Sequence, residues 1–99
     1  MPTHDETAAF LRVWGKMDGN ARAAFLNAMS LLVEWLRQPD NPPPRTLRLH
    51  PVGHHPVYGT VWSMTWAPDG RGLFVYGAEL RPGDPHVIWT AIGSHDVYR

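Results

Sequence analysis

The chain contains no cysteine and only one lysine, Lys16, in 99 residues. Without thiols there is no disulfide framework and no thiolate chemistry, which fits a reducing, cytoplasmic setting. No apolar run approaches ~18 residues, and no basic segment followed by an apolar core opens the chain, so neither a membrane span nor a signal peptide is expected. A basic surplus is missing too: nine basic residues balance nine acidic ones, which counts against a broad phosphate-binding surface. There is also no glycine-rich phosphate loop, no Ser/His/Asp arrangement and no HExxH-like element. No cofactor is expected.

What is present argues for a folded core. Apolar residues make up 43% of the chain and five are tryptophan, which excludes disorder. The length suits a single domain spanning residues 1–99. Charge is unevenly spread, because residues 45–55 hold Arg45, Arg48, His50, His54 and His55 with no acid among them. That stretch is either a local basic face on a neutral protein or a solvated loop. The spacing of its three histidines could ligate zinc, but no cysteine supports a site, and no metal is assigned.

Along the chain, Thr3 and Glu6 have capping-box spacing ahead of Phe10, Leu11, Trp14 and Met17, an apolar stripe at helical period. Asp18-Gly19-Asn20 breaks it. A second helix is expected from Ala21 to Arg37, with Phe25, Met29, Leu32 and Leu36 on one face. Gln38 to Pro44, with its four prolines, ends it as a connecting loop. Beyond it the period falls to two. Strands are expected at Thr46–His50, Thr60–Trp66, Arg71–Gly77 and His86–Ile92, with Pro68-Asp69-Gly70 and Pro82-Gly83-Asp84-Pro85 as turns. The expected fold is α+β in two layers, an N-terminal αα-hairpin packed on a three- or four-stranded antiparallel sheet. Trp62, Trp66 and Trp89 are core candidates.

Hairpin arithmetic brings distant residues together. Pairing 71–77 with 86–92 sets Arg71 opposite Ile92, just short of His95, and pairing 60–66 with 71–77 sets Trp66 beside Arg71. Asp69, Arg71, His95 and Tyr98 then share one end of the sheet. The same arithmetic puts His50 opposite Thr60 at the far end, although the loop 51–59 could fold back with His54 or His55.

The C-terminal Ile92-Gly93-Ser94-His95-Asp96-Val97-Tyr98 resembles the Ile-Gly-Thr-His-x-x-Tyr ending of the RelE/ParE superfamily of bacterial toxins, and Arg71 to Tyr76 resembles the arginine-led strand before it. The resemblance implies a RelE-like fold, a cognate antitoxin and, in the histidine-using, YafQ-like branch, cleavage of mRNA on or off the ribosome. That branch places catalysis on the C-terminal histidine, matched by His95, and on an aspartate in a Pro-Asp turn, matched by Asp69. Its upstream histidine could correspond to His50 of His50-Pro51 or His55 of His55-Pro56. Thr65 stands where the branch has another histidine, and the active-site lysines of other RelE-like toxins are absent. RelE-like chains also open with a strand, for which only Met1-Pro2-Thr3-His4 is available. A short or missing first strand would leave a bare sheet edge and invite self-pairing.

Metal-independent RNA cleavage needs a base for the 2′-hydroxyl, an acid for the leaving 5′-oxygen and a cation for the phosphorane. Histidine serves either proton role near neutrality, arginine matches the phosphate, and an aromatic ring can stack on a base. His95, Arg71 and Tyr98 supply one of each, with Asp69 beside them and Arg45, Arg48, His50 and His55 as candidate RNA contacts. Each has a plainer reading: His95 as a turn residue, Arg71 paired with Asp69 or Asp96, Tyr98 as a core aromatic. The competing function is a non-catalytic, ParE-like or degenerate toxin relative that binds a protein such as DNA gyrase.

Overall fold

The first residues form a strand where their spacing suggested a helix cap. In the computed structural model, which describes residues 2–94 and 97, β1 (Thr3–Glu6) runs parallel to the last strand, Thr3 beside His86 and Glu6 beside Trp89. Apart from Thr3, nothing in Thr-His-Asp-Glu favours a strand locally. The buried His86 ring supplies the reason, with Nδ1 2.7 Å from the Thr3 hydroxyl and Nε2 3.1 Å from the Asp5 carboxylate. The β5 edge expected to be bare is therefore covered, and β1 and β2 are the outer strands of the sheet.

The helix cap is Thr7. Its hydroxyl accepts the Phe10 N–H (3.2 Å) and opens α1 (Ala8–Trp14), which stops short of Met17. Asp18 then accepts the Ala21 N–H at 2.8 Å and caps α2 (Gly19–Arg37). Phe25, Ala28, Leu32 and Leu36 recur at helical spacing and are the buried residues of α2.

Four further strands, β2 (His50–His55), β3 (Gly59–Thr65), β4 (Gly70–Arg81) and β5 (Asp84–Ser94), form an antiparallel meander, so that the sheet order is β1-β5-β4-β3-β2. The α+β class holds, with one strand more than expected and a mixed sheet. On the helix-facing side, Trp89 and Phe25 meet edge-on at 5.0 Å and Phe74 lies 5.1 Å from Trp89. Gly72 makes room for them, since a Cβ there would come within 3.1 Å of both the Phe25 and the Trp89 rings. Trp89 is fully buried, while Trp62 and Trp66 are half-buried against the same cluster.

The strand expected at Thr46–His50 is instead a 3₁₀ turn, Arg45–Leu47, followed by Arg48 in the left-handed region at φ 46°. Burial decides this, because the turn drops Leu47 into the core at 1% exposure. The true β2, His-Pro-Val-Gly-His-His, shows no apolar alternation, and its Pro51 is tolerated because the strand lies at the edge of the sheet. His50 consequently faces Ser63 instead of Thr60.

A β-bulge sets the register near the candidate site. Pairing of β4 with β5 runs evenly from Gly77–His86 to Phe74–Trp89 and then resumes at Leu73–Ala91, leaving Thr90 as the extra residue. Thr90 donates to the Leu73 carbonyl (3.3 Å), and its own carbonyl accepts the Thr7 hydroxyl (3.2 Å). The Thr7 N–H adds a bond of 3.0 Å to the Trp89 carbonyl. One residue is thereby gained, and Arg71 faces Gly93 instead of Ile92. Thr7→Val removes both hydroxyl bonds while keeping the shape. It is expected to lower the unfolding free energy by ~1 kcal/mol or more in urea titration, and an unchanged midpoint would mean that Thr7 neither caps the helix nor holds the bulge.

Candidate active site

Because Met64, Phe74, Trp89 and Ile92 pack towards the helices, the residues alternating with them project to the other face of the sheet, open at His50 and buried at Ser63 and Val75. Paired residues share a side, so one row across that face is His50, Ser63, Leu73 and Ala91, and the next is Thr65, Arg71 and Gly93. His50 thus lies two strands across and two residues along from Arg71, which puts their Cα atoms about 12 Å apart. Long side chains and one nucleotide can span that distance.

The open-face histidine is oriented. His50 Nδ1 lies 2.7 Å from the Arg48 carbonyl oxygen. A carbonyl can only accept, so Nδ1 carries the hydrogen and the lone pair of the neutral ring is on Nε2. Arg48 reaches this position by way of its left-handed backbone, and both Arg48 and Arg45 are exposed.

Arg71 is fixed by its own turn. Gly70 N donates to the Ala67 carbonyl (3.0 Å), with Pro68 and Asp69 at the central positions, which is ordinary turn chemistry. Arg71 Nη1 lies 2.9 Å from the Gly70 carbonyl and 3.3 Å from those of Ala67 and Pro68. Nε and Nη2 have no hydrogen-bond partner among the described residues. Asp69 stands exposed at the tip of this turn. Beside it, a largely apolar cleft of about 530 Å³ runs between Val13, Met17, Pro68, Gly93 and Ser94.

His95 and Tyr98 lie outside the described residues. Up to Ser94, which pairs with Gly70, β5 follows the predicted course towards the Asp69–Arg71 turn. Val97 comes so close to Gly93 that a Cβ on Gly93 would be 2.8 Å from its methyl. His55 is used elsewhere: Nδ1 accepts the N–H groups of Val57 (3.0 Å) and Tyr58 (3.2 Å), closing the turn before β3. Its partner Gly59 is six residues from Thr65 along β3, about 20 Å away from the Arg71 row. Of the two His-Pro elements, the structure brings His50-Pro51 near Arg71 and leaves His55-Pro56 at the other end.

Sequence reasoning missed the position of His50, and with it Ser63, a fully buried residue between His50 and Leu73. The His-Pro dipeptide was the available signal, since proline marks an edge strand. Thr65, where the related branch carries a histidine, pairs with Arg71, and its hydroxyl is buried without a partner among the described residues. Burial raises the Tyr76 phenol above its usual range, and that ring packs on Phe74 on the helix side, away from this face. Among the described residues no group of three or more His, Asp or Glu side chains could hold a metal ion. Nor is any helix among the described residues long and apolar enough to cross a membrane.

Two helices over one face of a five-stranded mixed sheet form an α+β fold that matches the RelE-like fold. The crystal structure of the E. coli DinJ–YafQ complex is similar over 98% of this chain and 97% of that one, with a TM-score of 0.61 at 14% identity. YafQ from E. coli strain BL21(DE3) gives 0.56 at 13% identity over 98% and 97%. A copper-bound mutant toxin from Helicobacter pylori gives 0.58 at 17% identity over 98% of each chain. No protein-family model and no curated protein sequence matches the chain.

Proposed function

We propose that this protein is the toxin of a toxin–antitoxin pair and cleaves mRNA by metal-independent acid–base chemistry. The observation that carries the reading is the shared open face of His50 and Arg71, with Arg71 opposite Gly93 at the start of Gly-Ser-His. His50 Nε2 takes the proton of a 2′-hydroxyl, and that oxygen attacks the adjacent phosphorus. The free edge of the Arg71 guanidinium stabilises the charge gathering on the phosphorane oxygens. His95 protonates the departing 5′-oxygen, so that the products are a 2′,3′-cyclic phosphate and a 5′-hydroxyl. Asp69 orients this end of the site and Tyr98 stacks on a base. Arg45 and Arg48 guide the RNA backbone from the β2 side, with His55 at the far end of that path.

The likeness to YafQ, seen in complex with DinJ, supports an antitoxin partner. Cleavage on or off the ribosome, in the cytoplasm, belongs to the same reading. Two observations favour a second reading: Arg71 is partly spent on its own turn, and Thr65 cannot serve as acid or base near neutrality, as in a non-catalytic relative that binds a protein such as gyrase. Expression from a tightly controlled promoter separates the two. Rapid loss of protein synthesis with cut transcripts, abolished by His95→Ala, is the expected result. DNA-damage signalling with translation intact would replace the ribonuclease by the second reading, and no growth effect would sink both.

A further inference from the structure

His50 and His55 are five residues apart, a spacing that sets side chains on opposite faces of a regular strand. In β2 they share a face, because Val52 is an extra residue between the pairs Pro51–Trp62 and Gly53–Val61. His50 faces Ser63 and His55 faces Gly59, positions four residues apart and so on one side of β3, about 13 Å from each other. The bulge thus carries the face of the candidate site out to the tip of the β2–β3 hairpin.

The two rings are held in opposite senses. His50 Nδ1 donates to the Arg48 carbonyl, which leaves the lone pair on Nε2. His55 Nδ1 instead accepts the N–H groups of Val57 (3.0 Å) and Tyr58 (3.2 Å), so the hydrogen of the neutral ring is on Nε2, without a partner among the described residues. His50 is therefore set to take a proton and His55 only to donate a hydrogen bond. Tyr58 lies against His55, with ring centroids 5.0 Å apart. It is 43% exposed, and its hydroxyl has no partner among the described residues. Pro56 and Gly59, the latter at φ 83°, fix the turn that carries it, so little freedom is left to lose on binding.

We infer that Tyr58 and His55 form a distal subsite that stacks one base of a single-stranded RNA, a few nucleotides along from the phosphate held at His50 and Arg71. An exposed ring beside a fixed donor suits a base, which offers a flat face and acceptors on its edge. The connecting path suits the backbone, since no acidic residue occurs between Asp40 and Asp69 and both Arg45 and Arg48 stand exposed. As a protein contact the tip offers little beyond Val57 and Tyr58, far short of the ~800 Å² per partner of a stable interface. The inference rests on the ribonuclease reading for the cut phosphate, and it makes Tyr58 a determinant of which RNA is bound.

The test measures fluorescence anisotropy of the full chain with a fluorescein-labelled 2′-O-methyl RNA, which cannot be cut because the attacking hydroxyl is blocked. The same strand is then used with one base-free ribose at successive positions. One position is expected where loss of the base weakens binding about tenfold. Tyr58→Ala is expected to bind the intact strand about tenfold more weakly and to lose the distinction at that position, while Tyr58→Phe keeps both. His55→Asn, whose amide oxygen can still accept the two backbone N–H groups, is expected to bind several-fold more weakly. His54→Ala, opposite Thr60 on the other face, should bind as wild type. With unmodified RNA, Tyr58→Ala is expected to raise KM and leave kcat nearly unchanged. Wild-type affinity in Tyr58→Ala, or an equal effect of the missing base with and without Tyr58, would overturn the subsite; if growth inhibition is nevertheless lost in that variant, the tip is a protein contact. Cleavage and binding that ignore Tyr58 sink the subsite alone, whereas Tyr58-dependent binding with no cleavage by the wild type sinks the ribonuclease reading alone.

Discussion

His50→Asn is expected to slow cleavage of a defined RNA by about 10²–10⁴-fold, the range for loss of a general acid or base. Asparagine is the informative replacement because its amide nitrogen can take the place of Nδ1 and keep the bond to the Arg48 carbonyl. The anchoring is retained and only the lone pair that accepts the 2′-hydroxyl proton is lost. His95→Ala is expected to fall in the same range, and the double substitution only slightly further, as two groups acting in one step are not additive. Single-turnover assays with product analysis decide this. Wild-type rates in His50→Asn would remove His50 from the chemistry, leaving the base to be sought elsewhere.

The largest effect on stability is expected at Trp89. Trp89→Ala empties a site at 1% exposure that touches Phe25, Phe74 and Phe10, with ring centroids at 5.0, 5.1 and 6.3 Å. Loss of a buried aromatic of this kind costs about 3–5 kcal/mol, against a total stability of roughly 5–15 kcal/mol for an ordinary domain. Trp89→Phe should be much milder than its volume implies. The Trp89 indole N–H is buried without a partner among the described residues, and removing it recovers part of the loss. Urea unfolding should rank wild type and Trp89→Phe well above Trp89→Ala. A loss below ~1 kcal/mol for Trp89→Ala would contradict the packing of the helices on β4 and β5.

Periodicity made much of this fold readable. The stripes Phe10–Trp14 and Phe25–Leu36 gave two helices, and the alternation around Trp62, Phe74 and Trp89 gave three strands, because in these segments burial selects side chains at the period of the backbone. The turn at Pro68-Asp69-Gly70 was equally plain from its residue types. The two edge strands were not. β1 and β2 bury little, so their sequences carry polar residues, a proline and a glycine in place of an alternation.

The candidate site divides in the same way. That the Asp69–Arg71 turn meets Gly93 and Ser94 at one sheet end followed from loop lengths, but the register did not. Thr90 is inserted because Thr7, more than eighty residues earlier, holds its carbonyl. No local pattern encodes that bond. His50 was placed at the wrong end because the turn that buries Leu47 displaces β2 along β3.

By itself, then, the sequence determined the two-layer class, its central strands and the residue types available for chemistry, since these depend on local periodicity and composition. Only the tertiary structure decided which histidine stands on the open face with Arg71 and which residue of β5 Arg71 meets. Both depend on contacts between segments far apart in the chain: a leucine seeking the core, a histidine bridging two strands, and a threonine hydroxyl shared between a helix cap and a bulge.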